Sequence, residues 1–160
     1  MLNSYAMVFF SNNRPFAWVL LLVTFFDPVA GLSGLISVLT ANLVAEILGF
    51  SPFYMRSGFY GFNALLVGLG IGLYYQLSPA LIVLLIFAAV LTLFITILME
   101  GVIGKYSLPY LTVPFLITIW VVTLAARYYT ELHISERGVF RINELYSLGG
   151  KPMLAADEWF

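Results

Sequence analysis

The sequence predicts an all-α, polytopic helical membrane protein, and three observations predict it. Hydrophobic residues make up 62% of the 160 residues and charged residues only 9%, with a mean hydropathy of +1.00. An ordinary soluble domain carries roughly 25% charged residues. No charged side chain occurs from Ser57 to Met99, a run long enough for two crossings at about 20 residues each. Finally, two apolar stretches are broken by residues that end or bend helices: Tyr60-Gly61-Phe62-Asn63-Ala64-Leu65-Leu66-Val67-Gly68 and Leu108-Pro109-Tyr110-Leu111-Thr112-Val113-Pro114-Phe115. Backbone that leaves the helix at membrane depth is tolerated only where protein buries it or where it lines a cavity. A pair of such interrupted segments therefore points to a permeation or binding site.

Taken in order, Tyr5 to Phe10 is a first apolar piece, halted by Ser11-Asn12-Asn13-Arg14, and Pro15 to Phe26 is a second, bounded by Asp27-Pro28. The second piece has twelve residues, which at about 1.5 Å each span roughly 18 Å, short of a hydrocarbon core of about 30 Å. Ser4 to Phe26 is accordingly read as one crossing interrupted near Asn12. Val29 to Leu48 is the next, with Gly31 and Gly34 as a close-packing face. Ser57 to Tyr75 exceeds one half-helix and carries Gly58, Gly61, Gly68, Gly70 and Gly72. It reads as a re-entrant half-helix up to about Val67 running into a further crossing. Pro79 to Met99 is the plainest span, with proline in the permissive first turn. Leu108 to Ala126 opens with the double-proline motif and ends at Arg127-Tyr128-Tyr129, an interfacial anchor. Residues 1–130 thus hold five crossings and one half-spanning element, and residues 131–160 are a polar connector or tail. An odd number of crossings is what one half of an inverted-repeat channel requires, although no repeat is visible within these residues.

The same residues exclude several function classes. A net charge of -1 argues against nucleic acid as a partner. The absence of cysteine removes disulfides and thiolate metal sites. Met1 to Phe10 lacks a basic segment and a small-residue cleavage site, so it does not read as a cleavable signal peptide. His133, the only histidine, lies beside Glu131 and Glu136 in the polar tail and reads as a surface residue. No acid, base or nucleophile cluster falls within the hydrophobic segments, so the expectation is no catalytic residue, no metal and no cofactor. Glu46 lies three residues before Gly49, close enough to a helix end to snorkel, and Glu100 closes a span in the same way. Asp27 sits in a turn.

What remains at membrane depth is polar but uncharged: Asn42, Asn63, Thr112, Thr118 and the carbonyls freed around glycines and prolines. A charged substrate calls for buried ionisable partners. A neutral polar solute needs hydrogen-bond acceptors instead, because an unpaired amide in hydrocarbon is costly. Composition alone leaves two readings open. The motifs surround a pore, or Gly68 and Gly72 are packing, Pro109 and Pro114 are kinks, and Thr112 bonds to its own backbone.

The wording of the motifs bears on that choice. The stretch Tyr60 to Gly68, followed by Leu108 to Phe115 and then by Thr118-Ile119-Trp120, resembles the urea transporter family, and Val8-Phe9-Phe10-Ser11-Asn12-Asn13 looks like that family's mouth segment. The resemblance covers roughly Asn3 to Arg127. It implies two inverted homologous halves, each of five crossings and a half-helix, around one pore per subunit. It also implies homotrimers embedded in the lipid bilayer of a plasma membrane, of the bacterial inner-membrane kind. This chain resembles the first half followed by the connector. By the same resemblance Phe62 packs its ring on the flat face of urea, Leu66 narrows the slot and Thr112 offers a hydroxyl at the midplane, with Asn63 next to Phe62 in the motif. Two positions depart from the family: Ala64 stands where glycine is usual, and Met7 stands where a pore-facing glutamine is usual. Methionine offers no comparable acceptor. Passive permeation of urea is therefore the expected function. The alternatives are a channel half for another small neutral solute such as an amide or ammonia, or a non-conducting assembly element. No histidine lies at membrane depth to suit an ammonium-type channel, and there is no Asn-Pro-Ala to suit an aquaporin.

Alternating crossings put Arg56 and Lys105 in loops on one side and the segment from Arg127 to Phe160 on the other. The preference of basic loops for the cytoplasm then places the tail outside. Cysteines introduced singly at Arg56 and Ser147 into this cysteine-free chain are expected to differ, with only Ser147→Cys labelled by an impermeant reagent added outside. Equal labelling would overturn the assignment.

Overall fold

A computed structural model describes residues 2–9, 11, 13–106, 111–126 and 132. Every regular element among them is helical: α1 (Leu2–Met7), α2 (Arg14–Thr24), α3 (Pro28–Ile47), α4 (Pro52–Ser57), α5 (Phe59–Tyr74), α6 (Pro79–Val102), a 3-10 turn at Gly104–Tyr106, and α7 (Val113–Ala126). The starts follow local chemistry. Asp27 caps α3, its carboxylate accepting from the Val29 and Ala30 amides at 3.0 and 3.2 Å, and Pro28 takes the first turn. Ser78 caps α6 by accepting from the Leu81 amide at 3.1 Å, again with a proline next in line. Pro114 likewise lies in the first turn of α7, so it begins that helix rather than kinking it. Pro109 falls outside the described residues.

Two expectations from sequence are corrected. The interruption expected near Asn12 exists, between Met7 and Arg14, but α1 does not continue into α2. It packs alongside α2, with Ala6 and Ala17 in one buried cluster, and also touches α4 and α5. The glycine-rich segment is not divided near Val67 either. It is a single helix from Phe59 to Tyr74, and the break comes before it, at Gly58, with φ of +84°. A Cβ there would collide with the Asn3 carbonyl and the Ser4 amide nitrogen, so both conformation and space demand glycine.

Helix α5 is the centre of the bundle. It packs on α3, α6, α7, α1 and α4, and buries Tyr60 to Leu65, Val67, Gly68, Ile71 and Gly72. Its small residues meet the small face of α3. A Cβ on Gly68 would stand 2.5 Å from both the Ser33 carbonyl oxygen and the Ser37 hydroxyl, and one on Gly72 would stand 2.9 Å from the Ala30 Cα. Gly34 of α3 admits Leu65 and Leu69 in the same way. The packing reading of Gly68 and Gly72 therefore holds, as does close packing at Gly34, whereas Gly31 meets the end of α2 at the Thr24 carbonyl and Phe25 instead of α5. Helices approach this closely in lipid because contact, not water exclusion, holds them together.

The outer surface is apolar. Phe26 is 90% exposed, Ile47 74% and Trp120 69%, and the outward side of α6 carries Val83, Phe87, Phe94 and Leu98. A soluble monomer rarely shows so continuous a hydrophobic surface. Three polar side chains are satisfied by their own helices: Thr92 donates to Ala88, Thr96 to Thr92 and Asn42 to Val38, at 2.6–2.7 Å. Two apolar helical stretches, Pro28–Ile47 and Pro79–Tyr106, are long enough to cross a membrane. The remaining apolar helices are shorter: α5, with its 16 residues, spans roughly 24 Å.

Packing at Gly68 is directly testable. Gly68→Ala puts a methyl group against a backbone carbonyl that cannot yield, and is expected to destabilise the bundle by about 1–3 kcal/mol. Gly101, in the last turn of α6, has nothing within 4 Å of its Cβ position, and Gly101→Ala is expected to be neutral or stabilising by up to about 1 kcal/mol. Thermal unfolding in detergent distinguishes them; equal midpoints would refute the close approach of α3 and α5.

Candidate functional site

The first motif lies on the opening two turns of α5. Phe62 and Leu66, four residues apart, share one helical face; Phe62 is buried and Leu66 half-buried. Asn63 is next to Phe62 and fully enclosed, at 0% exposure. The second motif is described from Leu111 onward, so its residues Leu108, Pro109 and Tyr110 lie outside the described residues. Leu111 has φ of +31°, the only positive value on a non-glycine residue among the described residues. A left-handed conformation costs such a side chain about 1–2 kcal/mol. Thr112 follows it, exposed, and its carbonyl accepts the first helical bond of α7 from the Leu116 amide at 3.1 Å.

Among the described residues a hydrogen bond joins the two motifs. The Asn63 side-chain amide donates to the Leu111 carbonyl at 3.2 Å, across 48 residues of sequence. The other end of the Asn63 side chain, its Oδ1, is buried without a partner, and so is the Thr118 hydroxyl. No bond from the Thr112 hydroxyl back to α7 is present among the described residues, so the expectation that it merely serves its own helix has no support. Met7 closes α1 and is half-buried; Tyr5 and Ala6 just before it join Leu65 of α5 in one cluster. The structure thus gathers Phe62, Asn63 and Leu66 on one helix and ties Asn63 to the turn that carries Thr112, while Met7 ends the helix whose Tyr5 and Ala6 share a cluster with Leu65.

Sequence reasoning passed over a second tie. Glu100, read as an end-of-helix charge, accepts a hydrogen bond from the Tyr54 hydroxyl at 2.9 Å, fastening α4 to the end of α6. Tyr54 belongs to an aromatic cluster with Phe59 at 5.3 Å and Tyr60 at 5.9 Å, and Phe59 in turn lies 6.1 Å from Phe62. The entrance to α5 is therefore braced from its outer end. The same contact sets Arg56 on α4 and Lys105, just past α6, at one end of the bundle, as alternating crossings require. Glu46 is exposed, as a snorkelling residue should be, and with Arg56, Asn3 and Asn42 it lines an open cleft of about 850 Å³ at that end.

Bonding to the Glu100 carboxylate, then that carboxylate's charge, hold the Tyr54 phenol above its ordinary value. A raised value means that the tie is intact below the ordinary phenol value of about 10 and is lost as pH climbs through the raised one. Tyr54→Phe is expected to speed tryptic cleavage after Arg56 at neutral pH. Raising the pH through that raised value should release α4 in the parent chain in the same direction, as read by the solvent accessibility of a cysteine placed at Arg56. An unchanged cleavage rate in Tyr54→Phe would show that α4 is held by other contacts.

The sequence model of the family described as Urea transporter matches residues 1–151. The match takes in all of α1 to α7 and both motifs, and the all-helical fold with its apolar surface agrees with it. That family comprises transport proteins rather than enzymes, which fits a site of aromatic, aliphatic and hydroxyl side chains. A match over nearly the whole chain decides the assignment: the chain belongs to the urea transporter family, membrane proteins that move urea.

Proposed function

We propose that this chain forms the first half of a passive urea pore, with Phe62, Leu66 and Thr112 lining the route and Met7 at its mouth. The observation that carries the reading is the junction of the two motifs, where Asn63 of the first binds the Leu111 carbonyl of the second beside an exposed Thr112. Urea is flat, neutral and rich in N–H donors. A ring can lie against its face, a hydroxyl can accept from its NH2 groups, and walls that offer no charge leave ions without compensation for lost hydration. Met7 supplies no acceptor, so recognition in this half begins deeper, at Phe62 and Thr112.

In this reading residues 1–130 are the membrane half, and residues 131–160 are the connector to an inverted second half. The complete pore is one of three in a homotrimer of the plasma membrane, of the bacterial inner-membrane kind. A slot needs two walls, and one set of lining residues supplies only one of them.

Stopped-flow urea flux in liposomes tests the reading in two arms. Residues 1–160 alone are expected not to conduct, and robust flux would overturn the half-pore assignment. With both halves present, Thr112→Val keeps the shape and removes the hydroxyl, costing about 1–3 kcal/mol, or roughly ten- to a hundredfold in flux if that point is the barrier. Thr118→Val is the control: its hydroxyl is buried and unbonded, so little change is expected. Equal, mild effects would remove Thr112 from the route.

A further inference from the structure

We infer that Asn63 is a positioning residue that sets the direction of the Thr112 side chain, and not a ligand for the solute. The inference rests on the proposed reading that Thr112 lines the route. It begins from where the polar atoms of Asn63 lie. The residue is at 0% exposure, its Nδ2 is occupied by the Leu111 carbonyl and its Oδ1 is enclosed with no partner. Its amide nitrogen is thus turned to backbone rather than to a solute. What it does reach is the backbone immediately before Thr112.

That backbone is held at two successive carbonyls. The Leu111 carbonyl is turned toward α5 by Asn63, and the Thr112 carbonyl is turned along α7 by the Leu116 amide. Fixing both ends of Thr112 in this way fixes its φ and ψ, and with them the direction of its Cα–Cβ bond. The first of the two tethers works against a conformational preference, because Leu111 sits at φ of +31°, a region that side-chain-bearing residues disfavour. Local propensity would return Leu111 to negative φ and swing Thr112 away. Nothing in the Leu111–Thr112 pair itself supplies the missing restraint; it comes from α5.

Asn63→Leu removes the donor, and Asn63→Asp makes it conditional. An ionised carboxylate only accepts, so it repels the Leu111 carbonyl, whereas the protonated acid can donate to it. Burial raises a carboxyl's pKa, so in Asn63→Asp the tether is present at low pH and lost as pH rises. The readout is the rate at which a cationic methanethiosulfonate labels Thr112→Cys in this otherwise cysteine-free chain, reconstituted in liposomes. Each rate is divided by that of Leu77→Cys, an exposed position beyond the far end of α5, and compared with the Asn63 parent at the same pH, which corrects for ionisation of the thiol.

The ratio is expected to fall by about tenfold in Asn63→Leu. In Asn63→Asp it should match the parent at about pH 5 and fall by about pH 9, on either side of a carboxyl raised by burial. An unchanged ratio in Asn63→Leu, or a ratio in Asn63→Asp that is the same at both pH values, overturns the inference. If Asn63→Leu fails to insert, the Asn63→Asp series decides alone, because at low pH it keeps the bond. A merely structural role lowers yield without making the labelling of Thr112→Cys depend on pH. Labelling reports the turn and not transport, so it is separate from the flux of Thr112→Val, which reports whether Thr112 lies on the route.

Discussion

The backbone-to-backbone seating of α5 on α3 is the constraint on which the remaining arrangement depends. In hydrocarbon, helices gain little from hiding apolar side chains, since lipid is as apolar as leucine, and they associate by close contact. Gly68 and Gly72 on one side and Ala30, Ser33 and Ser37 on the other leave no room for a methyl group between them. With α5 fixed in this bed, its other faces are assigned. One receives α6 through Val67, Ile71, Leu85 and Ala88. Another receives α1 through Leu65 and Tyr5. The start of α5 is left to meet the turn before α7.

Much of the helical layout was legible because the signals are local. Asp27-Pro28 and Ser78-Pro79 each combine a capping side chain with a residue suited only to a first turn, and both helices begin there. The glycine-rich segment was harder because glycine serves two purposes. It permits a left-handed turn and it permits close approach, and sequence does not separate them. Gly58 turned out to be the turn, whereas Gly61, Gly68 and Gly72 are contact points inside one helix. The length of the apolar run favoured a break near Val67; tertiary contact with α3 holds the helix together through it. The side-by-side arrangement of α1 and α2 was equally hidden, since a short apolar run before a polar break reads the same whether the chain continues or doubles back.

For the site, the residue types were readable and their partners were not. Asn63 and Glu100 stand out in sequence as polar groups at the edge of membrane depth. Their partners, the Leu111 carbonyl and the Tyr54 hydroxyl, lie 48 and 46 residues away and belong to no pattern that spacing reveals. These two bonds hold the start of α5 from both sides. The bond from Asn63 joins two neutral groups, so it braces that end without placing a charge there.

The 48-residue separation of Asn63 from Leu111 also bears on how the chain is made. Thr92, Thr96 and Asn42 bond within their own helices, so each can enter the bilayer already satisfied. Asn63 has no such recourse: its acceptor belongs to a segment still unmade when α5 emerges. At a synthesis rate of about 5–20 residues per second, those 48 residues take roughly 2–10 s. Through that interval α5 carries an unpaired amide that hydrocarbon disfavours. Close packing against α3 shelters α5 through that interval, until the turn before α7 supplies the Leu111 carbonyl.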